Sequence, residues 1–353
     1  LLDGATEPVE LYYTAQADGD GLHEDAQSNT PSAGYDIRRK LYYAEKAQAD
    51  PDTSGDWTQF ADIADNTSYN DAKTALLAYL KERTGGTVPI SLKMTWEEVP
   101  EATLLLDTYT GAAAAYSLRK LRTAYTGDAV EVYNGSSYAD IGFNVFGELD
   151  TVALADHCGS NDGFVSKWYD QSGNTNTATQ TTTANMPKIY DGTTSSVILQ
   201  NGKPYLNAFN KSLLTSLSNV SQPYTISAVF ASQNAFARHM GNNTNLYQNN
   251  TSVRFLGNEI SNGGTFATGD QLNVFGVGNG SSSFGKVANA TNQPSGVTFT
   301  SSTNFDLSVF FARYATSSSN NRSFAQEFII WGSDQSSNRS NIEDNINTFY
   351  SIY

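Results

Sequence analysis

From residue 116 onward the chain carries a series of short apolar runs, at 129–132, 164–169, 197–199, 225–230, 253–256, 272–277, 307–314 and 324–331, set apart by loops of Ser, Thr, Asn and Gly. Runs this short, bounded by turn formers, are strands rather than helices. Many of them in succession, with no helix between, predict a β-sandwich. Only 16% of the residues are charged, against about 25% in an ordinary soluble domain. The remainder is rich in Gly, Tyr, Phe and hydroxyl or amide side chains, a composition suited to strands and polar loops. Disorder is excluded, because aromatic and apolar residues recur at strand spacing throughout. One helix is predicted to close the chain, capped by Ser337 or Asn338, with Ile342, Ile346, Phe349 and Tyr350 on its apolar face.

The first hundred residues read differently. They hold eighteen acidic and eight basic residues, a net of −10 out of −15 for the whole chain. A helix is predicted after Ser68, with Ala72, Ala75, Leu76, Tyr79 and Leu80 in one stripe and Gly85-Gly86 as its stop. Strands are predicted around it at 9–14, 35–43 and 87–96. The expected organisation is a small α+β domain over 1–100 serving docking or assembly, a linker over 101–115, and a β-sandwich with its C-terminal helix over 116–353.

Several functions are disfavoured by composition. A lone cysteine, Cys158, makes no internal disulfide and no Cys-based zinc site. Three histidines leave little for His-based metal chemistry, and an acidic chain lacks the basic face that nucleic acid demands. No run reaches the 18 apolar residues or so of a membrane span. No leader segment is visible at Leu1, and no cofactor is expected. Asp18, Asp20, Glu24 and Asp25 place hard oxygen ligands in one loop and are the calcium candidates, although their spacing is not that of an EF-hand. The pair His157 and Cys158 resembles a thiolate pair only superficially, since neighbours in sequence rarely converge.

Two stretches carry a resemblance. One runs Ala114-Ala115-Tyr116-Ser117-Leu118-Arg119-Lys120-Leu121-Arg122. The other is Trp168-Tyr169-Asp170-Gln171-Ser172-Gly173-Asn174, followed by Pro187-Lys188-Ile189 and Asn201-Gly202-Lys203-Pro204. Together they resemble the catalytic domain of the family B α-L-arabinofuranosidases, over roughly 105–353. With the segment Phe328-Ile329-Ile330-Trp331 through Arg339, the module is also similar to modules of tailed-bacteriophage structural proteins. The implied fold class is mainly β, a concanavalin-like (jelly-roll) sandwich preceded by a small α+β domain.

Family B enzymes are retaining glycosidases, which need two carboxylates about 5–5.5 Å apart. In the family the nucleophilic Glu follows the strand matched here by 225–230, in a segment with paired cysteines. Residues 231–250 contain no Asp, Glu or Cys. Between 171 and 325 the carboxylates are Asp191, Glu259, Asp270 and Asp306, and Glu259 and Asp270 are the candidates for a displaced pair. On this ground the chain is expected not to be an enzyme. Trp168 and Tyr169 are expected to fill core and strand edge, and Asp170 and Ser172 to bond their own turn, with Trp168, Tyr169 and Asp170 as the alternative candidates for sugar contact.

The function expected is that of a bacteriophage virion protein of tail, fibre or capsid decoration, forming homo-oligomers and binding other virion proteins and a host-surface polysaccharide. The localisation expected is the virion, assembled in the host cytoplasm. The alternatives are a secreted, extracellular arabinofuranosidase-like hydrolase and a bacterial surface adhesin.

Overall fold

The computed structural model describes residues 11–13, 35–44, 57–63, 90–100, 104–144, 146–232, 236–240, 246–249, 251–311 and 323–353. By the density of contacts the chain falls into two units, one of Leu1–Ala102 with Asn144–Gly147, the other of Thr103–Phe143 with Glu148–Tyr353. In the first, β1 (Leu11–Tyr13), β2 (Tyr35–Ala44), β3 (Thr58–Ile63) and β4 (Ile90–Pro100) form one sheet in the order β1-β4-β2-β3. β2 lies antiparallel to β4 from Tyr35 opposite Pro100 to Ala44 opposite Ser91. β1 joins β4 in parallel. Leu41, Tyr43 and Ala44 are buried, and Tyr43 meets the Phe60 ring edge-on at 6.5 Å. The helix predicted after Ser68 and the calcium candidates Asp18, Asp20, Glu24 and Asp25 lie outside the described residues.

The second unit is mainly β. The stretch expected to be linker carries the short helix α1 (Leu105–Thr108) and the start of β5 (Ala112–Ser117). Then come β6 (Val130–Tyr133), β7 (Tyr138–Ile141), helix α2 (Thr151–Cys158) and β8 (Gly163–Trp168). The long strands are β9 (Tyr224–Ser232), β10 (Gln271–Gly278), β11 (Gly280–Ala288) and β12 (Ser323–Trp331), and helix α3 (Arg339–Tyr350) follows. Hydrogen bonding runs β11-β10-β9-β12-β5 in one layer and β7-β6-β8 in the other, with short strands closing the two into a nearly complete sandwich.

The longest apolar runs became the strands buried on both faces. Every residue of β9, β10 and β12 is buried, as in strands covered on both faces. On the inner face Tyr224, Ile226, Ala228 and Phe230 of β9 and Phe328 and Ile330 of β12 meet Val130, Val132, Val165 and Trp168 of the opposing layer. On the outer face Val229, Phe275, Val277, Ile329 and Trp331 lie under Ile342, Ile346 and Tyr350 of α3 and Leu105 and Leu106 of α1. The amphipathic stripe of α3 is therefore the lid of a second core.

Candidate functional site

The Trp168–Asn174 segment leaves β8 and turns across β5. Trp168 is fully buried, its ring about 5.9 Å from those of Tyr116, Phe310 and Phe328. The Asp170 carboxylate is buried too. Oδ1 accepts from the Ala115 amide (2.8 Å) and the Ser172 amide (2.9 Å); Oδ2 accepts from the Ser172 hydroxyl (2.8 Å) and the Asn176 amide (2.9 Å). Gln171 reaches the Ser117 and Arg119 carbonyls with Nε2 and takes the Leu121 amide on Oε1. Asn174 and Asn176 donate to the Ala113 carbonyl. Gly173 stands at φ +96°, and a Cβ there lies 2.7 Å from the Arg122 guanidinium. The motif thus fastens one loop to the backbone of β5, and its polar atoms are turned inward. Of the three sugar-contact candidates only Tyr169 keeps a partly exposed side chain. Its hydroxyl donates to Asp140 at 2.6 Å. Burial, and then this carboxylate, hold the Tyr169 hydroxyl above the usual phenol range.

Under α3 lies an ionic cluster. Arg119 binds Glu327 through two donors, Nε to Oε2 at 2.7 Å and Nη2 to Oε1 at 3.0 Å. Ser117 donates to Oε2 at 2.8 Å, and Arg119 Nη1 reaches Asn345 at 3.0 Å. The two side chains are 9% and 1% exposed. Burial alone depresses the Arg119 pKa, but the Glu327 charge outweighs it, so the guanidinium stays ionised above its ordinary range. The Tyr350 hydroxyl, buried beside the same carboxylate, is pushed well up.

His239 is fully buried. Its Nδ1 lies 2.6 Å from the Ser323 hydroxyl, its Nε2 3.2 Å from the Ser232 hydroxyl, and its ring stacks on Phe230 at 3.5 Å. Burial holds its pKa well below the usual imidazole value. The folded chain therefore keeps a neutral imidazole where the unfolded chain takes a proton. Stability is expected to be full above about pH 6.5 and to fall by up to about 1.4 kcal/mol per pH unit below it. Urea unfolding at pH 7.5 and 5.5 reads this, and His239→Gln is expected to remove part of the difference. An unchanged difference in the variant assigns the pH dependence to other groups.

The carboxylates proposed as a displaced pair have separate partners. Glu259, exposed, faces Arg254 at 3.7 Å, and Asp270 accepts from the Ala267 amide and from Asn289 at 2.7 and 2.6 Å. His157 bonds the Val132 carbonyl at 3.0 Å, while Cys158 packs inside against Gly163. Burial, with Asp162 adding, pushes the Cys158 thiol up to about 11, so it is no thiolate at neutral pH. Among the described residues no group of three His, Cys, Asp or Glu side chains is arranged to hold a metal ion. No helix among them is long and apolar enough to cross a membrane.

This architecture, a nearly closed β-sandwich with its outer face sealed by a terminal helix, is an arabinofuranosidase-like sandwich. A GH54 α-L-arabinofuranosidase soaked with a cyclic sulfate inhibitor superposes with a TM-score of 0.54 at 16% identity, over 70% of this chain and 64% of that one. An arabinofuranosidase complexed with arabinofuranosyl-α-1,2-xylobiose superposes with a TM-score of 0.53 at the same identity and coverage. The chain thus spans 64% of the length of these neighbours. No family model and no curated protein matches the sequence.

The comparison corrects one expectation. The chain was expected not to be an enzyme, yet the solved structures that share its fold are glycoside hydrolases. The error lay in placing a nucleophile by sequence order. A segment without carboxylates at 231–250 says nothing about carboxylates that folding brings in from elsewhere.

Proposed function

We propose that the protein engages polysaccharide on a host surface through its sandwich, as a component of a bacteriophage particle. The observation that carries the carbohydrate part is the arabinofuranosidase-like fold at a TM-score of 0.54. The virion part rests on the resemblance of the Trp168–Asn174 and 328–339 segments to phage structural modules. The test is to purify particles from the native source and quantify this chain by mass spectrometry. Fixed stoichiometry with the particle is the expected result; a free monomer in the supernatant overturns the virion assignment.

A second reading is a secreted arabinofuranosidase-like hydrolase, favoured by the neighbour solved with an arabinofuranosyl xylobiose. It predicts release of arabinose from aryl arabinofuranosides by the purified chain, abolished by carboxylate-to-amide changes. Glu259→Gln and Asp270→Asn come first.

A further inference from the structure

The outward face of β7-β6-β8 has a chemistry that neither core uses. Val130 and Val132 point inward, so Glu131 and Tyr133 point out. The register sets Tyr138 of β7 and Phe164 of β8 on either side of Tyr133. One step along, it sets Asp140 and Lys167 on either side of Glu131. The result is two parallel rows across three strands, one of aromatic rings and one of charges. With strands about 4.8 Å apart, each row spans about 10 Å.

Tyr133 and Phe164 are partly buried, and Tyr138 stands open to ligand. Tyr138 is 51% exposed, and its ring lies 4.7 Å from that of Tyr133 at 33°. The Tyr133 hydroxyl is tied back to the Gly135 carbonyl at 2.7 Å, which holds its ring in place. Beside the rings, Glu131 accepts from Ser166 and Lys167 at 2.7 Å each. Asp140 is exposed and takes the Tyr169 hydroxyl on Oδ1. Asp128 stands near Asp140, and burial followed by that neighbour's charge raises its pKa. Beyond Phe164 the aromatic row meets Lys188, whose ammonium is held by Asp162 at 2.7 Å and Asp191 at 3.3 Å.

We infer that this face is a binding platform for a neutral oligosaccharide lying across β7, β6 and β8. Sugar rings present C–H faces that stack on aromatic side chains, and their hydroxyls donate to carboxylates in short, charge-assisted bonds. The aromatic row accommodates adjacent sugar units, and the acidic row lies beside it where hydroxyls project. The charge balance selects the class of sugar. Asp140, Glu131 and Asp128 outnumber Lys167, and Lys167 and Lys188 are each held by carboxylates, so a uronic or sialic acid meets a surplus of like charge. The platform rests on the carbohydrate reading above and names its site.

The test is titration calorimetry of the full chain with xylohexaose and arabino-oligosaccharides as neutral probes and oligogalacturonate as the acidic one. Tyr138→Ala is expected to weaken neutral-sugar binding about tenfold while leaving the thermal midpoint in place, since the residue is half exposed. Tyr138→Phe keeps the ring and the affinity, and Leu199→Ala, an exposed apolar residue elsewhere, leaves affinity unchanged. If the intact chain binds neutral sugar and neither Tyr138→Ala nor Tyr133→Ala weakens it, the platform is wrong and the carbohydrate reading stands. Preference for oligogalacturonate overturns the platform as well. Binding of neither probe class overturns both.

Discussion

Replacing Glu327 by Ala is expected to cost about 3–5 kcal/mol of folding stability, because it leaves the Arg119 guanidinium buried with its charge uncompensated. In a unit of this size the melting temperature falls on the order of 10 °C. The loss exceeds that of a deleted hydrogen bond because two donors of Arg119 and the Ser117 hydroxyl lose their acceptor together. The double change Arg119→Met with Glu327→Leu is expected to be milder than Glu327→Ala alone, since it removes both charges and fills their volume. Urea unfolding of the three variants checks this. Equal losses in the single and the double variant mean that packing, not the unpaired charge, sets the cost.

Asp170→Ala is expected to cost about 3 kcal/mol or more, as four donors, three of them backbone amides, lose a charged acceptor. Asp170→Asn retains the shape and one acceptor, and falls between. Sugar affinity measured on the folded fraction is expected to stay within about twofold, because the carboxylate faces the β5 backbone and not solvent. A variant that melts normally but binds no sugar reverses that assignment and makes Asp170 a ligand contact.

The parts of the fold legible in the sequence are those whose pattern is strong and local. Strands predicted at 164–169, 225–230, 272–277 and 324–331 appear as Gly163–Trp168, Tyr224–Ser232, Gln271–Gly278 and Ser323–Trp331. The closing helix covers its predicted stripe, though the Asn338 side chain makes no cap bond. Strand β5 escaped because its sequence, four alanines before Tyr116 and Ser117, carries no strand signal and favours helix by propensity. The strand beside it, paired from Glu327 opposite Ser117 to Trp331 opposite Ala112, and the side chains of Asp170, Gln171 and Asn176 that bond its backbone specify its conformation.

The candidate site was legible in smaller measure. The motif around Asp170 was visible, and so were its bonds with Ser172 inside its own turn; its bonds to the amides of Ala115 and Asn176 were not. The aromatic platform needed pairing information, since Tyr133, Tyr138 and Phe164 are ordinary residues in three separate segments until the register aligns them. Alternation in β6, with Val130 and Val132 between Glu131 and Tyr133, was the one available hint, and it marks a solvent face without naming its neighbours.

The partnership of β5 with β12 also sets a timetable for synthesis. Ser117 and Glu327 are 210 residues apart, and at 5–20 residues per second the ribosome needs about 10–40 s to supply the second after the first. Throughout that interval the alanine-rich strand has no hydrogen-bonding partner on its β12 side, and the Arg119 side chain waits in water for its carboxylate. The pairing of β5 with β12 is therefore expected to form only after translation of the last long strand. In a cell, its yield should depend on whatever keeps that open edge from joining the edge of another nascent copy.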